Sequence, residues 1–209
     1  MRTGTDAMTA IVDYKAGNLT SVRLAFAAIG EETVVTADPA VVASAPRIVF
    51  PGVGAAASAM SNLRAAGLDS AVREAALSGR PFLGICLGLQ ILFDRSEEDG
   101  GVDCLGILPG AVRRFPGGSG DKIPQMGWNE IRADDSRGFV KSGDEYYFVH
   151  SYYVEKNPYT VATAEYAGIE FSAAVRKGNL FAAQFHPEKS GRLGLSLLRA
   201  FLRSTSGSR

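Results

Sequence analysis

An excess of charge of either sign is missing: Lys+Arg and Asp+Glu number 22 each, for a formal net charge of zero. That removes the electrostatic footprint expected of a chain that binds nucleic acid or an anionic membrane. Long apolar runs are missing as well. The longest uncharged stretch, residues 48–63, is interrupted by Pro51 and Gly52 and falls short of the ~18 apolar residues a spanning helix needs. The opening MRTGTDAMTA lacks the apolar centre of a signal peptide, so a cytoplasmic protein is expected. Cysteine and histidine are scarce. Cys86 and Cys104 do not make a disulfide framework in a chain with no export signal. With His150 and His186 they are spaced 18, 46 and 36 residues apart, with no close ligand pair, so no zinc site or other metal is expected. No P-loop pattern is present, and no cofactor is called for. No internal repeat or linker appears either. Residues 8–203 read as a single domain, 1–7 as a disordered lead or alternative start before Met8, and 204–209 as a frayed tail.

What is present is an ordinary globular composition, 46% apolar and 21% charged over 209 residues, enough for a full core. The first half alternates β-branched runs with amphipathic stretches. AIVDY (10–14), ETVVT (32–36), RIVF (47–50) and PFLGI (81–85) read as strands. Between them lie a helix over 19–30 with Val22, Phe26 and Ile29 on one face, and a short one opened by Asp38-Pro39. Two more run from PGVG to Ala66 and over 69–77. Strands alternating with helices imply right-handed βαβ units, hence an α/β fold with an open, mostly parallel sheet covered by helices on both faces. The second half is rich in Tyr, Val and Gly/Pro turns and reads as antiparallel strands and hairpins. NLFAAQF (179–185) is a further buried strand, and RLGLSLLRAFLR (192–203) a closing amphipathic helix.

PFLGICLGLQILF (81–93) sets a cysteine between two glycines, where a strand must turn sharply into a helix. Glycines at 84 and 88 remove the Cβ atoms that would clash across such a turn. The pattern G-I-C-L-G is that of a nucleophile elbow. It would put the Cys86 sulfur at a helix N-terminus, whose dipole favours a thiolate, and aim the Leu87 N–H at a developing oxyanion. The competing reading is a buried cysteine among packing glycines. A nucleophile needs a base, and QFHPEKS (184–190) supplies one directly after a buried strand: His186, with Glu188 two residues on to orient the imidazole. Both motifs fall at the carboxyl ends of strands, where open α/β sheets gather their ligand sites. FPGVGAAASA (50–59) matches a dinucleotide fingerprint only formally, following the third strand rather than the first. A turn whose backbone N–H groups add a second oxyanion donor is the better reading. His150 alone reads as a satisfied strand-end histidine, Trp128 as core and Cys104 as structural.

With PGVG, GICLGLQ and QFHPEKS in this order, the chain resembles the class I (triad) glutamine amidotransferases over essentially its whole length. DYKAGNL, PGVGA, MGWN and YFVHSYY are similar to the glutaminase subunits of imidazole glycerol phosphate synthase within that class. The resemblance implies a flavodoxin-like sheet with an antiparallel extension, and glutamine hydrolysis through a Cys86 thioester. His186 would move the protons and Glu188 orient it. Gly52, Val53 or Gly54 and Leu87 would bind the oxyanion, and Gln90 and Glu98 the amino-acid end of glutamine. His150, Ser151 and Tyr152 would line the other side. Asn18, Trp128, Tyr147 and Lys189 would face a (β/α)8-barrel cyclase that takes the ammonia in histidine biosynthesis. Lys15, where the family usually carries glycine, and Gln125, where histidine commonly precedes MGWN, depart from the pattern and bear on contacts with the cyclase. The rivals are a glutaminase serving anthranilate or aminodeoxychorismate synthase, a free-standing γ-glutamyl hydrolase or cysteine peptidase, and a non-enzymatic scaffold subunit.

Overall fold

The computed structural model describes residues 8–15, 17–117 and 120–204; the lead at 1–7 and most of the tail lie outside them. Strand β1 (Thr9–Val12) is followed by α1 (Leu19–Ala27), β2 (Thr33–Thr36), α2 (Pro39–Ser44), β3 (Arg47–Gly52), α3 (Ala56–Ala65), α4 (Leu68–Leu77) and β4 (Phe82–Cys86). A single helical turn, α5 (Leu87–Gln90), then leads to β5 (Arg95–Ser96), β6 (Val102–Asp103), β7 (Ala111–Arg114), β8 (Gln125–Glu130) and β9 (Arg132–Ala133). The chain continues through β10 (Glu145–His150), β11 (Tyr152–Val154), β12 (Thr160–Tyr166), β13 (Ile169–Lys177) and β14 (Leu180–Ala183), and closes with α6 (Gly191–Arg203).

The main sheet runs β2-β1-β3-β4-β14-β13-β12-β9. Its first five strands are parallel, and β13, β12 and β9 extend it antiparallel. The parallel strands β1, β3, β4 and β14 are almost wholly buried, as sheets covered on both faces require. On one face α1 and α6 pack together, with the Phe26 and Phe201 rings edge to face at 6.3 Å. The helices α2, α3 and α4 cover the other, burying Val42, Met60, Leu63, Leu68 and Val72. Two smaller sheets, β11-β7-β5-β6 and β10-β8, stand beside this frame.

Local chemistry explains the boundaries. Asp38 caps α2 by accepting from Ala40 N–H at 2.9 Å, ahead of Pro39 in its first turn. The helix α1 stops at Ala27, short of the sequence expectation; Ala28 caps it and Gly30 turns at φ +82°, while Ile29, half-buried, still packs against the cluster that holds Val22 and Phe26. Lys15 sits at φ +61°, which is why glycine suits that position; its N–H is held by the Asp13 carboxylate at 2.9 Å. Gln125 is buried and pairs across β8 and β10 with His150, so this departure lies inside the fold rather than on an outer face.

The helix expected after Cys86 begins at Leu87 but is a single turn. Only Leu87–Gln90 is helical, because the apolar residues that follow, Ile91, Leu92 and Phe93, are buried in a compact loop. One turn carries little macrodipole, so the helix-terminus argument for a thiolate loses most of its weight.

Candidate active site

Cys86 ends β4, the strand between β3 and β14 at the centre of the sheet. Its backbone lies at φ +55°, ψ −111°, a region a β-substituted residue enters only where the surroundings enforce it, at a cost of about 1–3 kcal/mol. The enforcement is visible. A Cβ on Gly88 would collide with the Phe50 carbonyl, and one on Gly84 would come within 2.8 Å of the Ala182 Cβ. Thus Gly88 lets the turn press against β3, and Gly84 lets β14 close on β4. Next door in the parallel register, Gly52 faces Cys86, and a Cβ there would meet the Tyr14 hydroxyl and the Leu87 Cβ. The elbow and the PGVG loop are therefore packed against each other as one unit.

His186 follows β14 at the same edge. Its N–H donates to the Tyr147 carbonyl at 2.9 Å, and its carbonyl accepts from the Ser190 hydroxyl at 2.6 Å. Pro187 starts a single 3₁₀ turn, which swings Glu188 back beneath the ring. Glu188 Oε1 lies 2.8 Å from His186 Nδ1, with the two side chains only 1% and 3% exposed, so the contact is shielded from water. A carboxylate only accepts, so Nδ1 carries a proton and Nε2 is the nitrogen available for chemistry. Burial works against a charged ring here, but the charge of Cys86 and the Glu188 carboxylate outweigh it and push the His186 pKa up to about 10. Nε2 itself makes no hydrogen bond by distance and angle among the described residues, although the sulfur is near enough to be, after burial, the largest influence on the ring and the largest that raises its pKa.

Cys86 and His186 line one cleft of about 250 Å³. Val53, Gly54, Leu87, Gln90, Glu98, His150, Ser151 and Tyr152, all singled out from sequence, line it too. Glu98 reaches it from the segment between β5 and β6, accepting from the Ala56 N–H at 2.6 Å, so it caps α3, whose own N-cap residue, Ala55, offers no side chain for the task. Burial holds its carboxyl above the usual range. His150 donates Nδ1–H to the Tyr152 carbonyl at 2.8 Å. Burial, aided by the nearby His186 charge, pushes its pKa down to about 4, which keeps it a neutral ring with Nε2 as a buried acceptor. Only Nδ1 is paired at the strand end; Nε2 has no partner among the described residues, and the ring forms one wall of the cleft.

Four residues assigned to a partner face lie outside the cleft. Trp128 is 57% exposed, which rules out the core reading, and packs edge-on to Tyr147 at 6.2 Å between ring centroids. The Lys189 ammonium stands 5.8 Å from the centre of the Tyr147 ring. Asn18 is exposed and caps α1, accepting from Ser21 N–H. The chain also brings in groups the sequence reading passed over. Pro124 and Val149 line the cleft, the Tyr14 hydroxyl is buried under Gly52, and Gln184 is buried beside Cys86. Gln184 left one signal, a polar residue inside the apolar strand NLFAAQF. Among the described residues no group of three or more His, Cys, Asp or Glu is placed to hold a metal ion.

A cysteine on a strained elbow, sharing a cleft with an imidazole oriented by a buried carboxylate, is the arrangement of an acyl-transfer site of the cysteine type. The model of the family "Glutamine amidotransferase class-I" matches residues 10–204, and the chain belongs to that family. Solved structures agree on the fold: one titled glutamine amidotransferase covers 92% of this chain and 96% of its own at TM-score 0.72 and 19% identity. PurLQS from Thermotoga maritima covers 94% and 98% at TM-score 0.71 and 20% identity. Within the class, the chain groups with imidazole glycerol phosphate synthase subunit HisH. The Moorella thermoacetica protein of that name is 49% identical over 92% of each chain, and that of Desulfovibrio desulfuricans 50% identical over 93% of each.

Proposed function

We propose that this chain is the glutamine-hydrolysing subunit of an imidazole glycerol phosphate synthase, working through a thioester on Cys86. The Cys86 sulfur attacks the γ-carboxamide carbon of L-glutamine; a C–S bond forms and the carbonyl π pair moves onto oxygen. The N–H of Leu87 and an N–H of the Val53–Gly54 turn receive that oxyanion. His186, held protonated in the free site, gives its Nε2 proton to the departing nitrogen, and the C–N bond breaks to release ammonia. The neutral imidazole then takes a proton from water as it attacks the thioester, and glutamate leaves as the sulfur is restored. Gln90 and Glu98 hold the amino-acid end of the substrate, and His150, Ser151 and Tyr152 close the opposite wall.

The ammonia passes to a (β/α)8-barrel cyclase, in a heterodimer acting in histidine biosynthesis in the cytoplasm. Free ammonia in water protonates and escapes, so the site works best covered. Support for a covering partner comes from the surface next to the site: Met126 at 65% and Trp128 at 57% exposure stand on β8, beside Tyr147 on β10. Tyr147 in turn accepts from the His186 main chain, so a partner seated there bears directly on the histidine. Among the described residues no helix is long and apolar enough to cross a membrane.

The observation that carries the proposal is the buried His186–Glu188 pair sharing a cleft with a cysteine held at positive φ. The test is alkylation by a glutamine-derived chloroketone. One adduct is expected, on the peptide containing Cys86, blocked competitively by L-glutamine and accelerated by the cyclase. Equal labelling of Cys104, or no protection by glutamine, would overturn the reading.

A further inference from the structure

Gln184 directly follows β14, whose Leu180, Phe181, Ala182 and Ala183 are all buried, and it precedes the equally buried Phe185. Placing a fully buried amide in such a strand is unfavourable unless each polar atom finds a partner. Both do. Gln184 Oε1 accepts from Gln90 Nε2 at 3.0 Å, and Gln184 Nε2 lies 3.6 Å from the Cys86 sulfur.

The direction of this chain of contacts is set from its far end. Gln90 Nε2 also meets the main-chain carbonyl of Tyr152 at 2.8 Å, and a carbonyl only accepts. Gln90 must therefore turn its NH₂ group that way. The second hydrogen of the same NH₂ points to Gln184, which must answer with oxygen. That leaves the Gln184 NH₂ facing the sulfur, with no freedom to flip. On another side of the sulfur stands an acceptor, the Val149 carbonyl at 3.8 Å. The thiol can donate to Val149, whereas an anionic sulfur can only accept, and Gln184 offers it an N–H in addition to the neighbouring His186 ring.

We propose that Gln184 is a positioning residue for the nucleophile: its amide holds and stabilises the Cys86 thiolate, and through Gln90 it ties that state to occupancy of the glutamine site. The inference rests on the reading of Cys86 as nucleophile and of Gln90 as a substrate contact. It also fills the place left by the weak one-turn α5, since a directed N–H supplies the anion stabilisation a longer helix would have given. Filling the glutamine site draws on the Gln90 amide, and the Gln184 hydrogen bond reports that change at the sulfur.

The test is the pH profile of Cys86 alkylation by iodoacetamide, a probe too small to need the glutamine site, followed on the Cys86 peptide by mass spectrometry. Gln184→Met keeps the length and removes the donor; Gln184→Glu keeps the shape and replaces the donor with an acceptor. In Gln184→Met the alkylation midpoint should rise by about half to one pH unit, the size expected from losing one hydrogen bond to an anion, and in Gln184→Glu by more. The kcat/KM for glutamine should fall about tenfold in Gln184→Met, following that shift. A purely structural role would lower the melting temperature of both variants and leave the midpoint in place. An unmoved midpoint in either folded variant overturns the proposal, whereas glutamine turnover surviving in Cys86→Ala would instead remove the nucleophile reading beneath it.

Discussion

Replacing Glu188 separates two roles a buried carboxylate can play beside a catalytic imidazole. At the 2.8 Å contact, Coulomb attraction to an imidazolium is about 6 kcal/mol at an effective dielectric of 20, much of it offset by desolvation of both groups. What remains as a charge-assisted hydrogen bond is about 2–3 kcal/mol, or about two units of the His186 pKa. Glu188→Ala should therefore lower glutaminase kcat/KM by about 30- to 150-fold if the carboxylate acts mainly on charge. Glu188→Gln should do worse. Its amide can donate to Nδ1 and lock the opposite tautomer, leaving Nε2 protonated when it must act as base; the cost of such an error in a triad is about 10⁴-fold. The assay is steady-state glutamate release by the complex with the cyclase, alongside ammonia-dependent synthesis as a control on assembly. Equal losses in the two variants would refute the tautomer argument, and a loss below about fivefold in both would refute any orienting role for Glu188.

Other consequences follow from packing and ionisation. Gly88→Ala places a methyl group on the Phe50 carbonyl and should lower the melting temperature by about 3–10 °C, read by calorimetry; an unchanged value would mean the elbow is not tightly packed. His150 has a folded pKa of about 4, below the 6.5 of an ordinary histidine, so it binds its proton mainly in the unfolded chain. Stability should fall by about 3 kcal/mol as pH drops from 6.5 to 4, and His150→Gln should flatten that part of the curve in urea titrations. His186, raised to about 10, works the other way: its contribution is complete at the acid end of that window and is lost as pH rises from about 6.5 towards 10. Trp128→Ala should weaken association with the cyclase about tenfold or more in titration calorimetry while leaving the melting temperature of the free chain within about a degree, because its ring is mostly solvated. A large fall in that temperature would return Trp128 to the core.

Much of this site was readable because its motifs are local. Gly84, Cys86 and Gly88 constrain one turn, and His186 and Glu188 meet across two residues, so neither needs a long-range contact to be recognised. The parallel strands announced themselves as continuous apolar runs bounded by glycine and proline. What escaped was set by tertiary packing. The stretch from Leu87 to Phe93 is apolar on every side, so periodicity gave no length for α5, and burial of Ile91, Leu92 and Phe93 ended it after one turn. The two-residue strands β5, β6 and β9 exist only through their partners. Glu98 as the cap of α3 joins residues 42 apart, and the Gln90–Gln184 contact joins residues 94 apart, distances at which pattern carries no information.

The central claim is that Cys86 forms the bond to glutamine and that ammonia made here feeds a separate synthase site. Its most direct measurement compares two activities of the assembled complex carrying Cys86→Ala: synthesis driven by glutamine and synthesis driven by added ammonia. Glutamine-driven synthesis should disappear while ammonia-driven synthesis stays close to that of the unaltered complex. Glutamine-driven synthesis that persists in Cys86→Ala would contradict the account.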